Sequence, residues 1–147
     1  MDTVGNLILD ASAVARICGP AGDDLRATLF DLSAAGVEVW FYTAEYPEIV
    51  RQVSTLTLGD SSCFDEMQSQ TQELLKLKMP FFQWLSALSG DLEKIDHTDL
   101  LTQALMTAAA RLGPDTRVVT TDLKRVKWGG LFIDEEAVGS LKVERKV

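Results

Sequence analysis

The chain has 147 residues, 46% hydrophobic and 24% charged, the size and balance of one domain over 1–147 with its own core. Fourteen Lys+Arg against 22 Asp+Glu give a formal charge of -8. That argues against a general nucleic-acid coat protein and is tolerable where several carboxylates share a cation.

Cys18 and Cys63 lack the CxxC or Cys/His spacing of a metal site and are too few for a disulfide framework. No apolar run reaches the roughly 18 residues of a membrane span. The opening MDTVGNLILD has no basic stretch ahead of its apolar run, so a soluble cytoplasmic protein with no membrane partner is expected.

Val4 to Leu9 is an apolar run that ends at Asp10 and reads as a buried strand. Leu25, Leu29 and Leu32 then line one face of a helix over 23–35, with Gly36 at the helix stop. Val37 to Tyr42 (VEVWFY) is the second strand. From Glu45 to Lys94 the sequence shows no convincing strand. Phe64, Met67, Thr71, Leu74 and Leu75 form one stripe, and Pro80 opens a second helix carrying Phe81, Phe82, Trp84, Leu85 and Leu88. A helical insertion is therefore expected between strands two and three.

Leu101, Ala104, Leu105, Ala108 and Leu112 repeat at helical spacing up to Gly113-Pro114. Arg117 to Thr120 is the third strand, and Leu131 to Ile133, after Gly129-Gly130, is the fourth. Alternating strand and helix predicts an α/β fold of three layers, α/β/α, around a central parallel sheet whose strand order is left open.

Ligands of such sheets bind beyond the carboxyl ends of the strands, where acids distant in sequence converge. Asp10 follows NLIL directly and Asp122 follows VVTT, while Glu48 lies in the first turns after VEVWFY and Asp99 near the start of the helix before strand three. Each acid alone is explained by helix capping, worth about 0.5–2 kcal/mol. Together, at strand ends, they form an oxygen donor set suited to Mg²⁺ or Mn²⁺.

The order of these segments resembles the PIN-domain ribonucleases. LILDASAV is similar to the opening signature, an apolar strand followed by Asp, a small residue and a hydroxyl. YTAEYPEIVR resembles the second element, with Thr43 and Arg51 accompanying Glu48; Glu45 is the competing acid. DLLTQALMTAAARLG resembles the third, an Asp opening an alanine-rich helix, with Asp99 as the match and Asp96 as its rival, although this helix is about a turn longer than usual. VVTTD resembles the last, and GLFID follows in its place.

The resemblance implies a single PIN-like domain and a metal-dependent endoribonuclease of the VapC-like toxin-antitoxin type, hydrolysing RNA phosphodiester bonds. Asp10 and Asp122 would be the principal ligands of Mg²⁺ or Mn²⁺, and Glu48 and Asp99 would complete the catalytic and metal-binding cluster. Hydroxyls of Ser12, Thr43 and Thr120 would orient carboxylates or waters. Arg16, Arg51, Lys124, Arg125 and Lys127 would form a positive rim against RNA, with Trp128 able to stack a base.

Small PIN toxins are held inactive by an antitoxin that inserts a basic residue near the acids. Here Phe81, Phe82 and Trp84 would supply the antitoxin groove or a homodimer surface, or pack in the core. The principal rival is a non-catalytic PIN-fold module that binds a partner. A receiver-like phosphoacceptor needs an Asp ending a middle strand. A nucleophile-histidine enzyme would depend on His97, the only histidine. GPAGDD lacks the Gly-Lys-Ser/Thr of a phosphate loop.

Overall fold

In Leu7, Ile8 and Leu9 three successive residues of a strand are fully buried, which requires that strand to be covered on both faces. The computed structural model describes residues 3–19, 21–56, 82–88, 100–127 and 130–143. In chain order the elements are β1 (Thr3–Val4), β2 (Asn6–Leu9), α1 (Ala11–Cys18), α2 (Asp23–Ala34), β3 (Glu38–Tyr42), a 3₁₀ turn (Thr43–Glu45) and α3 (Tyr46–Leu56). There follow β4 (Phe82–Leu85), α4 (Leu100–Leu112), β5 (Thr116–Val119), α5 (Leu123–Val126), β6 (Phe132–Ile133), α6 (Glu135–Gly139) and β7 (Lys142–Val143).

Five strands form one parallel sheet in the order β4-β3-β2-β5-β6. Leu9 stands opposite Phe41 on one side and Val119 on the other, so β2, β3 and β5 finish at the same level. Alternate residues face opposite layers. Leu7, Leu9, Val39, Phe41 and Val119 pack with Val14, Ile17, Leu25, Leu29, Ile49 and Val53 of α1, α2 and α3. Ile8, Tyr42 and Val118 pack with Ala104, Leu105, Ala108 and Ala109 of α4. Helices thus cover both faces, the three-layer arrangement expected from the alternation of elements.

Two local features depart from the sequence reading. The run Val4 to Leu9 is broken at Gly5, whose amide donates to the Asp115 carbonyl at 2.9 Å. A Cβ there would meet Asp115 Oδ2 at 2.1 Å, so a larger residue would require the Asp115 side chain to move. β1 leaves the main sheet and pairs in parallel with β7.

The second departure is larger. Phe82–Leu85, expected within a helix opened by Pro80, is an edge strand in parallel register with β3, Trp84 opposite Phe41 and Leu85 opposite Tyr42. The region between the second and third expected strands is therefore not purely helical. Trp84 packs its ring 5.2 Å from Phe41 and 5.9 Å from Tyr46, and Leu85 is buried in the opposite core. The stripe from Phe64 to Leu75, together with Cys63, Phe81, Asp96, His97, Asp99 and Trp128, lies outside the described residues. At Gly36, φ is +106°, a left-handed conformation that glycine adopts without a Cβ clash, and α2 ends there as expected.

Candidate active site

Because β2 lies mid-sheet, the chain leaves it towards β3 and β4 on one side and returns to β5 and β6 on the other. This reversal of strand order opens a crevice at the carboxyl ends of β2 and β5. Asp10 occupies it. Its amide donates to the Val119 carbonyl at 3.1 Å, which ties the residue to both strands, and its extended backbone (φ -78°, ψ 175°) makes it the N-cap of α1. Oδ1 accepts from the Ala13 amide at 2.9 Å and from Ser12 Oγ at 2.6 Å. Oδ2 accepts from Arg125 Nη1 at 2.8 Å.

The hydroxyls around Asp10 have determined directions. Ser12 spends its single proton on Asp10, so in the 3.2 Å contact between Ser12 Oγ and Thr120 Oγ1 the threonine is the donor. Ser12 Oγ then accepts from the Thr121 amide at 2.9 Å, and Thr120 Oγ1 accepts from the Asp122 amide at 3.0 Å. The result is a chain from the backbone after β5 to the Asp10 carboxylate.

Arg125 joins three elements. Its Nη1 donates to Asp10 Oδ2 and to Glu45 Oε1, both at 2.8 Å, and its Nε donates to Thr102 Oγ1 at 3.0 Å. Asp10, Glu45 and Thr102 are each 0% exposed. Burial opposes the Arg125 charge most strongly, but Glu45 and then Asp10 outweigh it and raise its pKa further. Arg125 was expected on an exposed rim facing RNA. It is instead buried, because two carboxylates inside the fold need a cation to offset their desolvation.

Glu48 and its rival Glu45 line the same cavity, of about 160 Å³, together with Asp10, Ser12, Gln52, Leu101, Asp122 and Arg125. They differ in role. Glu45 ends the 3₁₀ turn after β3 and is wholly buried. Glu48, a turn later on α3, is partly exposed and accepts from Arg51 Nε at 2.9 Å, from Arg51 Nη2, and from Gln52 Nε2 at 3.0 Å.

The Arg51 hydrogen bond, followed by that of Gln52, lowers the Glu48 pKa from 4.5 to about 2. A depressed carboxyl pKa means that the pair stabilises the fold above about pH 4.5 and that this contribution is lost as pH falls towards about 2. Arg51→Ala should return the Glu48 midpoint towards about 4.5 in a carboxyl NMR titration. A wild-type midpoint already there would mean that the pair does not form.

The remaining expected residues divide. Asp122 is exposed and caps α5, its Oδ1 accepting from the Lys124 amide at 2.9 Å. Thr43 does not orient a carboxylate through any described contact. Its Oγ1 accepts from the Ala87 amide at 2.6 Å and holds the segment after β4. Arg16 pairs with Glu135 at 3.0 Å in a groove of about 370 Å³ that also includes Ser12, Gln52, Thr121 and Asp134. Lys124 and Lys127 are exposed. Asp99 and Asp96 lie outside the described residues, although Leu101 of α4 lines the cavity.

Two participants escaped the sequence reading as members of the acidic cluster: Arg125 as its internal cation and Thr102 as the hydroxyl that fixes it. The available signal for Arg125 is its position three residues after Asp122, one helical turn on.

The donor set of the cavity fits a hard divalent ion by chemistry, with four carboxylates and one guanidinium lining it. By placement, Arg125 holds the position between Asp10 and Glu45. Among the described residues no group of three or more His, Cys, Asp or Glu side chains is arranged to hold a metal. No family model, curated protein or solved structure matches the chain.

Proposed function

We propose that the chain is a PIN-like endoribonuclease that hydrolyses RNA phosphodiester bonds at this cavity with Mg²⁺ or Mn²⁺. One observation carries the reading: acids that follow three adjacent parallel strands, Asp10 after β2, Glu45 and Glu48 after β3 and Asp122 after β5, line a single cavity where the strand order reverses. Asp10, Asp122 and Glu48 would hold the ion, with Glu45 as the buried fourth acid. A bound ion supplies an activated water and charge neutralisation at the phosphate.

The chain's own residues supply position. The proton chain from Thr120 through Ser12 fixes the Asp10 carboxylate, as hydrogen-bonded partners of ligands do. The groove beside the Arg16–Glu135 pair shares Ser12 and Gln52 with the cavity and would give a substrate strand a path to the acids.

The test is cleavage of single-stranded RNA by the purified chain with Mg²⁺, with Mn²⁺ and with EDTA. Asp10→Asn and Asp122→Asn should each reduce cleavage by about 10–100-fold or more, with circular dichroism showing that both variants fold. Cleavage that survives EDTA and both substitutions would sink the proposal. The second reading, a non-catalytic PIN-fold partner-binding module, is favoured by Arg125, which already pairs with Asp10 and Glu45 from within the chain. A folded wild-type protein inert towards RNA with either metal would select it.

A further inference from the structure

Two carboxylates buried without a counter-charge would cost several kcal/mol each, so the fold must supply a cation where Asp10 and Glu45 meet. It does so from its own chain. Arg125 Nη1 lies 2.8 Å from both carboxylates, the Arg125 side chain is only 11% exposed, and Nε is anchored on Thr102. One guanidinium offsets only one of two negative charges, whereas a divalent ion offsets both. Arg125 occupies Asp10 Oδ2 and Glu45 Oε1, while Ser12 and Ala13 already hold Asp10 Oδ1, so an ion approaching Asp10 meets the guanidinium at the other oxygen.

We propose that Arg125 is a built-in counter-cation that competes with a divalent ion for Asp10 and Glu45, so that the ion and the Arg125 ion pairs exclude one another. This rests on the reading of the cavity as a cation site. The consequence is a site that is half charge-compensated at low metal concentration and takes up an ion only as the guanidinium leaves. α5, which carries Arg125, is a single turn of four residues, so the competing group sits on a short element rather than within a long helix.

Mn²⁺ titrations of the full chain followed by electron paramagnetic resonance test it. Arg125→Met, which keeps apolar bulk without charge, should bind Mn²⁺ about tenfold or more tightly than wild type, and Asp10→Asn in that background should abolish the gain. A folded Arg125→Met protein that binds Mn²⁺ equally or more weakly than wild type would overturn the proposal while leaving the cation site intact.

If neither wild type nor the folded variant binds Mn²⁺, the cation reading itself fails and the competition fails with it. Should Arg125→Met not fold, the wild type still decides. Saturating Mg²⁺ should shift the Arg125 Nε–Hε NMR signal as its contacts break, and an unmoved signal in the Mg²⁺-bound protein refutes the competition.

Discussion

Asp10→Ala is expected to lower the unfolding free energy by about 3–5 kcal/mol, measured by urea denaturation at neutral pH. The substitution removes one acceptor of a buried guanidinium, the acceptor of the Ser12 proton and the cap of the Ala13 amide together. The capping loss alone would account for about 0.5–2 kcal/mol. The remainder comes from an arginine left inside the fold with one carboxylate instead of two. Asp10→Asn keeps an acceptor for Ala13 and should lose less. Combining Asp10→Ala with Arg125→Met should cost less than the sum of the singles, because Arg125→Met alone leaves two buried carboxylates without their cation and the double variant leaves only Glu45. A loss below about 1 kcal/mol for Asp10→Ala would show that the buried pair contributes little in solution.

The second large effect lies in the sheet. Phe41→Ala should cost about 3–5 kcal/mol, since Phe41 is fully enclosed between the α1–α3 layer and the Trp84 ring. The same change removes the apolar partner that holds edge strand β4 in register. Backbone amides of 83–85 should therefore exchange faster than those of β2 in the variant, a local opening beyond the global loss. Leu123→Ala is the contrast: Leu123 is 72% exposed, and its removal should fall within about 0.5 kcal/mol. Equal destabilisation by the two substitutions would contradict the packing described.

The central strands were legible because their apolar residues run without interruption and their ends are marked by Asp10, Thr43 and Asp122. β4 was not. In FQWL, both sheet faces are apolar enough that Trp84 and Leu85 bury on opposite sides, and a four-residue strand offers too short a window for period 2 to be told from a helical turn.

The resemblance favours Glu48 over Glu45 through the Arg51 that follows it. Distance from the strand end was the better guide to burial: Glu45 completes the turn that begins directly after Tyr42, whereas Glu48 is a helical turn further on, with Arg51 and Gln52 as its partners. Arg125 was assigned to the surface by its charge. A side chain's charge does not reveal that two acids 80 and 115 residues earlier will need it inside.

That separation also orders events during synthesis. Asp10 emerges with the first strand, but its partner strand β5 and its counter-cation Arg125 follow only after more than a hundred residues. At about 5–20 residues per second, the 115 residues between Asp10 and Arg125 take roughly 6–23 s. Until β5 is made, β2 has only β3 of its two neighbours, and until Arg125 follows, burying Asp10 would strand its charge. The nascent amino-terminal half therefore gains nothing by closing early, and the last turn of helix to leave the ribosome before β6 is the one that lets the centre of the sheet shut.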